Sequence, residues 1–340
     1  MACCRLRKKY QAHSRRSLDQ TKSSVGFSRQ VSALCATSLC RENPTYCGLL
    51  ILHDCTPYHK QMDIHKVRSA LQGQPFGHTI DYHLSVPSTM PLARALAEDA
   101  THAAHVSGTV VVADEQTAGR GRLDRRWETP PGRALLVSVV VAGTHLPERP
   151  AQLPMIAGLA VLNAVTQAVS LRYFCLKWPN DLVALLPDRA VKVAGLLAES
   201  RMDSQGMRYA VLGIGVNVNQ RADELPAPRP GGLPPASLYT LFGHEFEREV
   251  LLIALCRSLS ALLADPDGPT PEEIRARWQA ALFHVGRAVV IHSNNGDWRG
   301  RAIGADMDGS LWVEDETGRR VSVAAGDVSV DTVGWLPPDG

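Results

Sequence analysis

The sequence has no long uninterrupted apolar run and no large excess of either charge. Its longest apolar stretches, at 134–142 and 250–255, fall well short of the roughly 20 residues a spanning helix needs, so no membrane role is expected. A formal net charge of +2 over 340 residues singles out no polyanionic partner. A chain of that length can bury two or more cores and is expected to be soluble. Paired CxxC or Cys/His spacings are missing as well. Six of the eight cysteines, Cys3, Cys4, Cys35, Cys40, Cys47 and Cys55, crowd near the start without such spacing, which argues against a zinc site there. The other two, Cys175 and Cys256, stand in apolar surroundings and read as buried, reduced thiols of a cytoplasmic protein. The apolar core at 47–52 is too short and too far along the chain for a secretory signal, and no internal repeat is visible.

Residues 1–61 differ from everything after them. They are basic at Arg5, Arg7, Lys8, Lys9, Arg15 and Arg16, rich in Ser and Cys, and without sustained helical period, so little stable structure is expected. Two readings remain: a disordered basic arm that touches nucleic acid, or an extension that is not translated, with the true start at Met62. Composition favours the second. From Asp63 onward strands and helices alternate. Ser88 and Thr89 before Met90-Pro91 form a helix start, with hydroxyl caps and a proline in the first turn, and helix formers continue through 92–105. β-Branched runs predict strands at 110–113 and 134–142. Apolar residues at helical spacing predict a buried helix at 153–171. Short strands follow at 173–178, 191–199 and 209–217. Most of these strands are joined by hairpin-length connections, so an α+β fold is expected, with helices packed on a mixed, mostly antiparallel sheet. The stretch PAPRPGGLPP at 226–235 is a loop, and helices at 245–264 and 271–283 come next, the second opened by Thr270, Pro271, Glu272 and Glu273. From 285 to 335, five short strands between Gly, Asn and Asp turns describe a small β-barrel.

Four segments carry chemistry. EQTAGRGRLDRRW at 115–127 follows a predicted strand; Gly119 and Gly121 expose backbone N–H groups at close range, and Arg120 and Arg122 add forked contacts to phosphate or carboxylate. No GK[ST] follows as in a Walker loop, and a dinucleotide fingerprint would need glycine at Asp124. A solvated basic loop is the competing reading. LKWPNDL at 176–182 places Lys177, Asn180 and Asp181 around a turn that Pro179 enforces. A carboxylate beside an amide there can orient Mg²⁺ on a triphosphate or help deprotonate an amine, unless the turn is only structural. In VKVAGLLAE at 191–199, Lys192 sits among apolar residues and needs a carboxylate or phosphate, or else snorkels from an edge strand. LGIGVNVN at 212–219 puts Gly213 and Gly215 on a strand flat enough for close approach, with an amide at Asn217; the same glycines also fit plain sheet packing.

In order and spacing these segments, together with SVPSTM at 85–90, resemble the biotin protein ligases, and RGRAIG at 299–304 with DMD at 306–308 resembles their C-terminal barrel. The resemblance covers 63–335. It implies a class II synthetase-like catalytic domain that binds biotin and ATP at 63–283, and an SH3-like barrel at 285–335. It also implies a two-step reaction: biotin and MgATP give biotinyl-5′-AMP, and a lysine of a carboxylase's biotin carboxyl carrier domain then displaces AMP. Lys192, Arg122 and Asp181 would be catalytic. Ser88, Thr89, Met90, Gln116, Arg120, Gly121, Arg122 and Lys192 would hold biotin, and Gly119, Arg120, Arg122, Trp127, Lys177, Asn180 and Asn217 the adenylate, with Asp181 at the metal. The family usually has Asn at Met90 and Gly at Asp124, so one polar contact to biotin is expected to be missing and closure of the 115–127 loop to be slower. Lipoate and octanoate transferases share the catalytic fold but lack the GRGR and KWPND pair. A ligase that doubles as a repressor needs a helix-turn-helix module of about sixty residues; residues 1–61 lack its periodicity, so DNA binding is not expected. The reading is compatible with a homodimer.

Overall fold

The computed structural model describes residues 61–330 except 100–102, 123–124, 170–172, 205, 229–231, 294–295 and 325. The expectations for the N-terminal extension and for Asp124 lie outside the described residues. Seven strands form one sheet: β1 (Ile80–Val86), β2 (Val110–Gln116), β3 (Ala134–Ala142), β4 (Phe174–Lys177), β5 (Asp181–Leu185), β6 (Ala190–Asp203) and β7 (Gly206–Asn217). Their order is β1-β2-β3-β7-β6-β5-β4, with β1 and β2 parallel and every other neighbouring pair antiparallel. The mixed, mostly antiparallel sheet expected from the hairpin-length joins is what forms.

Side chains alternate across a strand, so β3 and β7 each serve two faces. Leu135, Val137, Val139 and Val141 on β3, with Ala210, Leu212, Ile214 and Val216 on β7, enter the main core. That face is covered by α1 (Ile64–Ala70), α4 (Gln152–Val169), α6 (Arg248–Leu263) and α7 (Pro271–Ala281). Helix α4 is long and apolar enough to cross a bilayer, yet 61% of it is buried against the sheet and its neighbouring helices. The opposite face receives α2 (Thr89–Glu98), whose Met90, Ala93 and Ala97 pack with Val106 on Val111, Val140, Tyr209 and Val211. On the same face β3 and β7 carry Ser138, Gly213 and Gly215, where a small or absent side chain admits Met90 and Trp127.

Local signals set these boundaries. The Ser88 hydroxyl accepts from Met90 N–H and opens α2, and Thr270 and Glu273 close a reciprocal capping box on α7. The helix expected through 92–105 is broken: Asp99 takes an extended backbone and ends α2, and α3 (Ala103–Val106) follows separately. A residue whose carboxylate competes for local backbone donors ends helices readily. α1, β1, β5 and α5 (Leu238–Phe242) are elements the sequence did not announce. Cys256 is buried, and burial pushes its thiol up to about 12; Cys175, expected to be buried, is only half-buried because β4 is the sheet edge.

Strands β8 (Ala288–Ser293), β9 (Gly296–Ala305), β10 (Leu311–Asp315), β11 (Arg320–Val323) and β12 (Asp327–Val330) form a second, antiparallel sheet in the order β11-β10-β9-β8-β12. Five short antiparallel strands fit the SH3-like expectation. It is fastened to the first sheet's β4–β5 turn and to α7: Trp178 Nε1 donates to Gly309 O at 2.8 Å, and Gln279 Oε1 accepts from Ala305 N at 2.9 Å. Lys177 meets Asp327 in the same junction.

Candidate active site

The cleft lies over the glycine-lined part of the sheet. Gly195 and Gly215 are direct cross-strand partners on β6 and β7, and the indole of Trp127 rests on both. A Cβ at Gly215 would stand 2.6 Å from Trp127 Cε2, and one at Gly195 2.7 Å from its Cζ3. Gly213 gives the same clearance to Met90, whose sulfur would lie 2.6 Å from an added Cβ. These glycines therefore let side chains from outside the sheet pack directly on the strands, as the packing reading of Gly213 and Gly215 expects.

At the α2 end the cleft is polar. The Thr89 N–H and hydroxyl reach Gln116 Oε1 at 2.8 and 3.0 Å, and its hydroxyl also lies 2.7 Å from Ser138 Oγ. Ser88 and Thr89 are almost fully buried because they cap α2 beneath this end. Met90 supplies an apolar wall, packed with Ala93, Val140 and Val211.

At the other end positive charge collects. The 115–127 loop turns back on itself through Trp127 N–H to Gly119 O and Gly121 N–H to Arg125 O, at 3.0 and 2.7 Å. Arg122 points inward and donates to Asn180 Oδ1 at 3.3 Å, while Arg120 stays exposed. Burial pushes the Arg122 guanidinium below its usual value, against the opposing pull of Asp327 and Asp181; a desolvated cation of this kind favours an anion beside it. Asn180 also donates to Leu196 O at 2.7 Å, which ties the β4–β5 turn to β6. Lys192 is part-exposed on β6, its Nζ 2.7 Å from Asp181 Oδ1 and 5.7 Å from the Trp127 ring centroid. Its backbone is fixed by the proline-rich loop, because Lys192 N–H donates to Pro234 O and Ala236 N–H donates to Lys192 O, each at 2.8 Å. The lysine expected to need an anion thus has a carboxylate on one side and the cleft on the other.

Of the residues given a catalytic or binding role from the sequence, all line this cleft except Gly119, which lies behind it, where a Cβ would stand 2.4 Å from Trp127 O. Asn217 is at the wall, but its amide is engaged internally, with Ala236 O at 3.1 Å and Gln220 Nε2 at 2.9 Å. Sequence reasoning missed Ser138, Gly195, Arg125 and Asp327, all of which line the cleft. Ser138 was findable as the single hydroxyl inside an apolar strand. Asp327 left no local signal.

Residues 84–217 match the Biotin/lipoate A/B protein ligase family, and residues 284–331 match the Biotin protein ligase C terminal domain. A biotin--[acetyl-CoA-carboxylase] ligase of Mycobacterium tuberculosis is 34% identical over 234 residues, covering 67% of this chain and 81% of that one. Its counterpart in Paracoccus denitrificans is 33% identical over 223 residues, 63% of this chain and 88% of that one. The chain belongs to the biotin protein ligase family. Among solved structures, the biotin protein ligase from Aquifex aeolicus in complex with biotin and ATP aligns over 74% of this chain and 98% of that one, with a TM-score of 0.58 and 26% identity. Membership in the biotin protein ligases accounts for both sheets at once, since the two matched regions fall on the first sheet with α2 and on β8–β12.

Proposed function

We propose that this chain joins biotin to ATP, giving biotinyl-5′-AMP and pyrophosphate, and then passes biotin to a lysine of a carboxylase's biotin carboxyl carrier domain. The observation that carries the reading is the single cleft in which Lys192 and Arg122 converge beside Asp181, between the polar Thr89–Gln116–Ser138 end and the Trp127 seat. In the first step a biotin carboxylate oxygen attacks the α-phosphorus and the bond to pyrophosphate breaks. Two anions must meet, so Lys192 and Arg122 would offset their repulsion and the charge that develops on the α-phosphoryl group. The ureido ring would lie toward Ser88, Thr89, Gln116 and Met90, and the adenylate toward Gly119, Arg120, Trp127, Lys177, Asn180 and Asn217. Gly121 and Arg120 would let the loop approach the carboxylate closely.

Among the described residues no three His, Cys, Asp or Glu side chains gather to hold an ion unaided. Asp181, a carboxylate at the turn lining the cleft, would be the protein ligand of Mg²⁺ carried in on triphosphate oxygens. In the second step the carrier amine attacks the acyl carbon, AMP leaves, and Asp181 would take the proton the amine sheds. Trp127 and the arginine loop would keep water from the mixed anhydride meanwhile. A cytoplasmic location and a homodimer belong to the same proposal.

The test is biotin-dependent exchange of labelled pyrophosphate into ATP. Exchange with biotin supports the reading; exchange only with lipoate or octanoate would keep the fold and discard the substrate. Gly215→Ala probes the Trp127 seat, because the new methyl and the indole cannot share it. We expect the exchange rate to drop by at least about tenfold, since misplacement on the order of 1 Å in a closing site carries such costs. Thermal melting should hardly move, and an unchanged exchange rate would show that the ring's seat does not matter to the reaction.

A further inference from the structure

We propose that Asp327, at the start of β12, is an internal rival of the nucleotide's phosphates for Lys177 and Arg125, and so sets ATP affinity; the inference rests on the reading above. Lys177 is 8% exposed, and its ammonium lies 2.9 Å from Asp327 Oδ1. His284, close enough to feel the charge of Lys177, is wholly buried and pushed down to about 3 by burial and by the charges of Lys177 and Arg287. A neutral imidazole offers that ammonium no counter-charge, so the carboxylate is its anion. The other oxygen of Asp327 takes Arg125 NH1 at 3.3 Å, and its charge is also felt by Arg122. Burial works against ionisation of Asp327, but Lys177 and Arg125 outweigh it and hold the carboxyl below its usual range. It is therefore a full negative charge at neutral pH.

Both cations face the cleft together with Asp327. A polyphosphate entering there meets positive groups already matched by a carboxylate from the second sheet, and either displaces it or shares with it. Like charges at such range repel strongly where water is scarce. The same repulsion would help expel pyrophosphate after the first step.

Asp327→Asn keeps the side chain's shape and an oxygen for Lys177 while removing the charge. In pyrophosphate exchange we expect KM for ATP to fall about five- to tenfold, near 1 kcal/mol of relieved competition. KM for biotin should be unchanged, because the polar end for biotin lies at α2. Asp327→Glu restores the charge and should behave as wild type, and Asp327→Ser gives a second neutral variant should Asn disturb folding. A raised KM for ATP would mean that the carboxylate aims Lys177 at phosphate instead; an unchanged one would mean that the pair only joins the two sheets. Either result overturns the proposal. Should the wild-type protein show no exchange with biotin, the reading of function falls, and calorimetric titration of wild type and Asp327→Asn with ATP alone still decides the rivalry.

Discussion

Lys192→Ala is expected to slow adenylate formation by about 10²–10³-fold, the range seen when one preorganised donor to a developing charge is removed. The loss has two sources. The ammonium that would meet the carboxylate and α-phosphoryl oxygens disappears, and Asp181, 15% exposed and until then 2.7 Å from that ammonium, keeps its charge facing the cleft. An incoming carboxylate then meets repulsion where attraction had been. Lys192 is itself 30% exposed in its side chain, so the fold should lose little, and thermal melting within a few degrees of wild type would separate a chemical defect from a structural one. Single-turnover formation of biotinyl-5′-AMP reads the effect directly. A drop smaller than about fivefold would remove Lys192 from the catalytic role.

Asp114→Ala is expected to produce the largest loss of stability, about 3–5 kcal/mol, because it leaves a buried guanidinium without its counter-charge. Arg248 NH1 donates to Asp114 Oδ1 at 2.7 Å, with side-chain exposures of 4% and 8%. Tyr82 donates to the other carboxylate oxygen, and burial followed by that hydrogen bond raises the phenol above its usual range. The cluster pins the first turn of α6 to β2, the strand that feeds the 115–127 loop. For a chain of this size the cost corresponds to a fall in melting temperature on the order of 10 °C. Pairing Asp114→Ala with Arg248→Met removes the stranded charge and should recover part of the loss. Equal melting of Asp114→Ala and wild type would show that the pair is not a structural anchor.

What the sequence revealed and concealed follows from the range of each interaction. Caps act over three residues, so Ser88 and Thr270 were readable, and β3 was readable because both its faces are buried. β1 was not, because an edge strand with part-exposed Asp81, Tyr82 and His83 and exposed Leu84 and Ser85 has no apolar alternation to see. β5 was hidden because its first residue, Asp181, reads as the end of a turn. At the site, the chemical types were legible one segment at a time: a forked-cation loop, a carboxylate at a turn, a lysine in an apolar strand. Their assembly was not. The seat of Trp127 depends on the register that sets Gly195 opposite Gly215, and the Lys177–Asp327 pair spans 150 residues. Contacts of that kind are made by tertiary folding and leave no periodic mark.

On the proposed mechanism one cleft performs both activation and transfer, with Lys192 at its chemical centre. Intact mass of a biotin carboxyl carrier domain, after incubation with biotin, MgATP and either wild-type protein or Lys192→Ala, tests it most directly. A gain of one biotinyl group is expected with wild type, and its loss, over the same time, with Lys192→Ala. Unmodified carrier with wild-type protein, or equal modification by both, would contradict it.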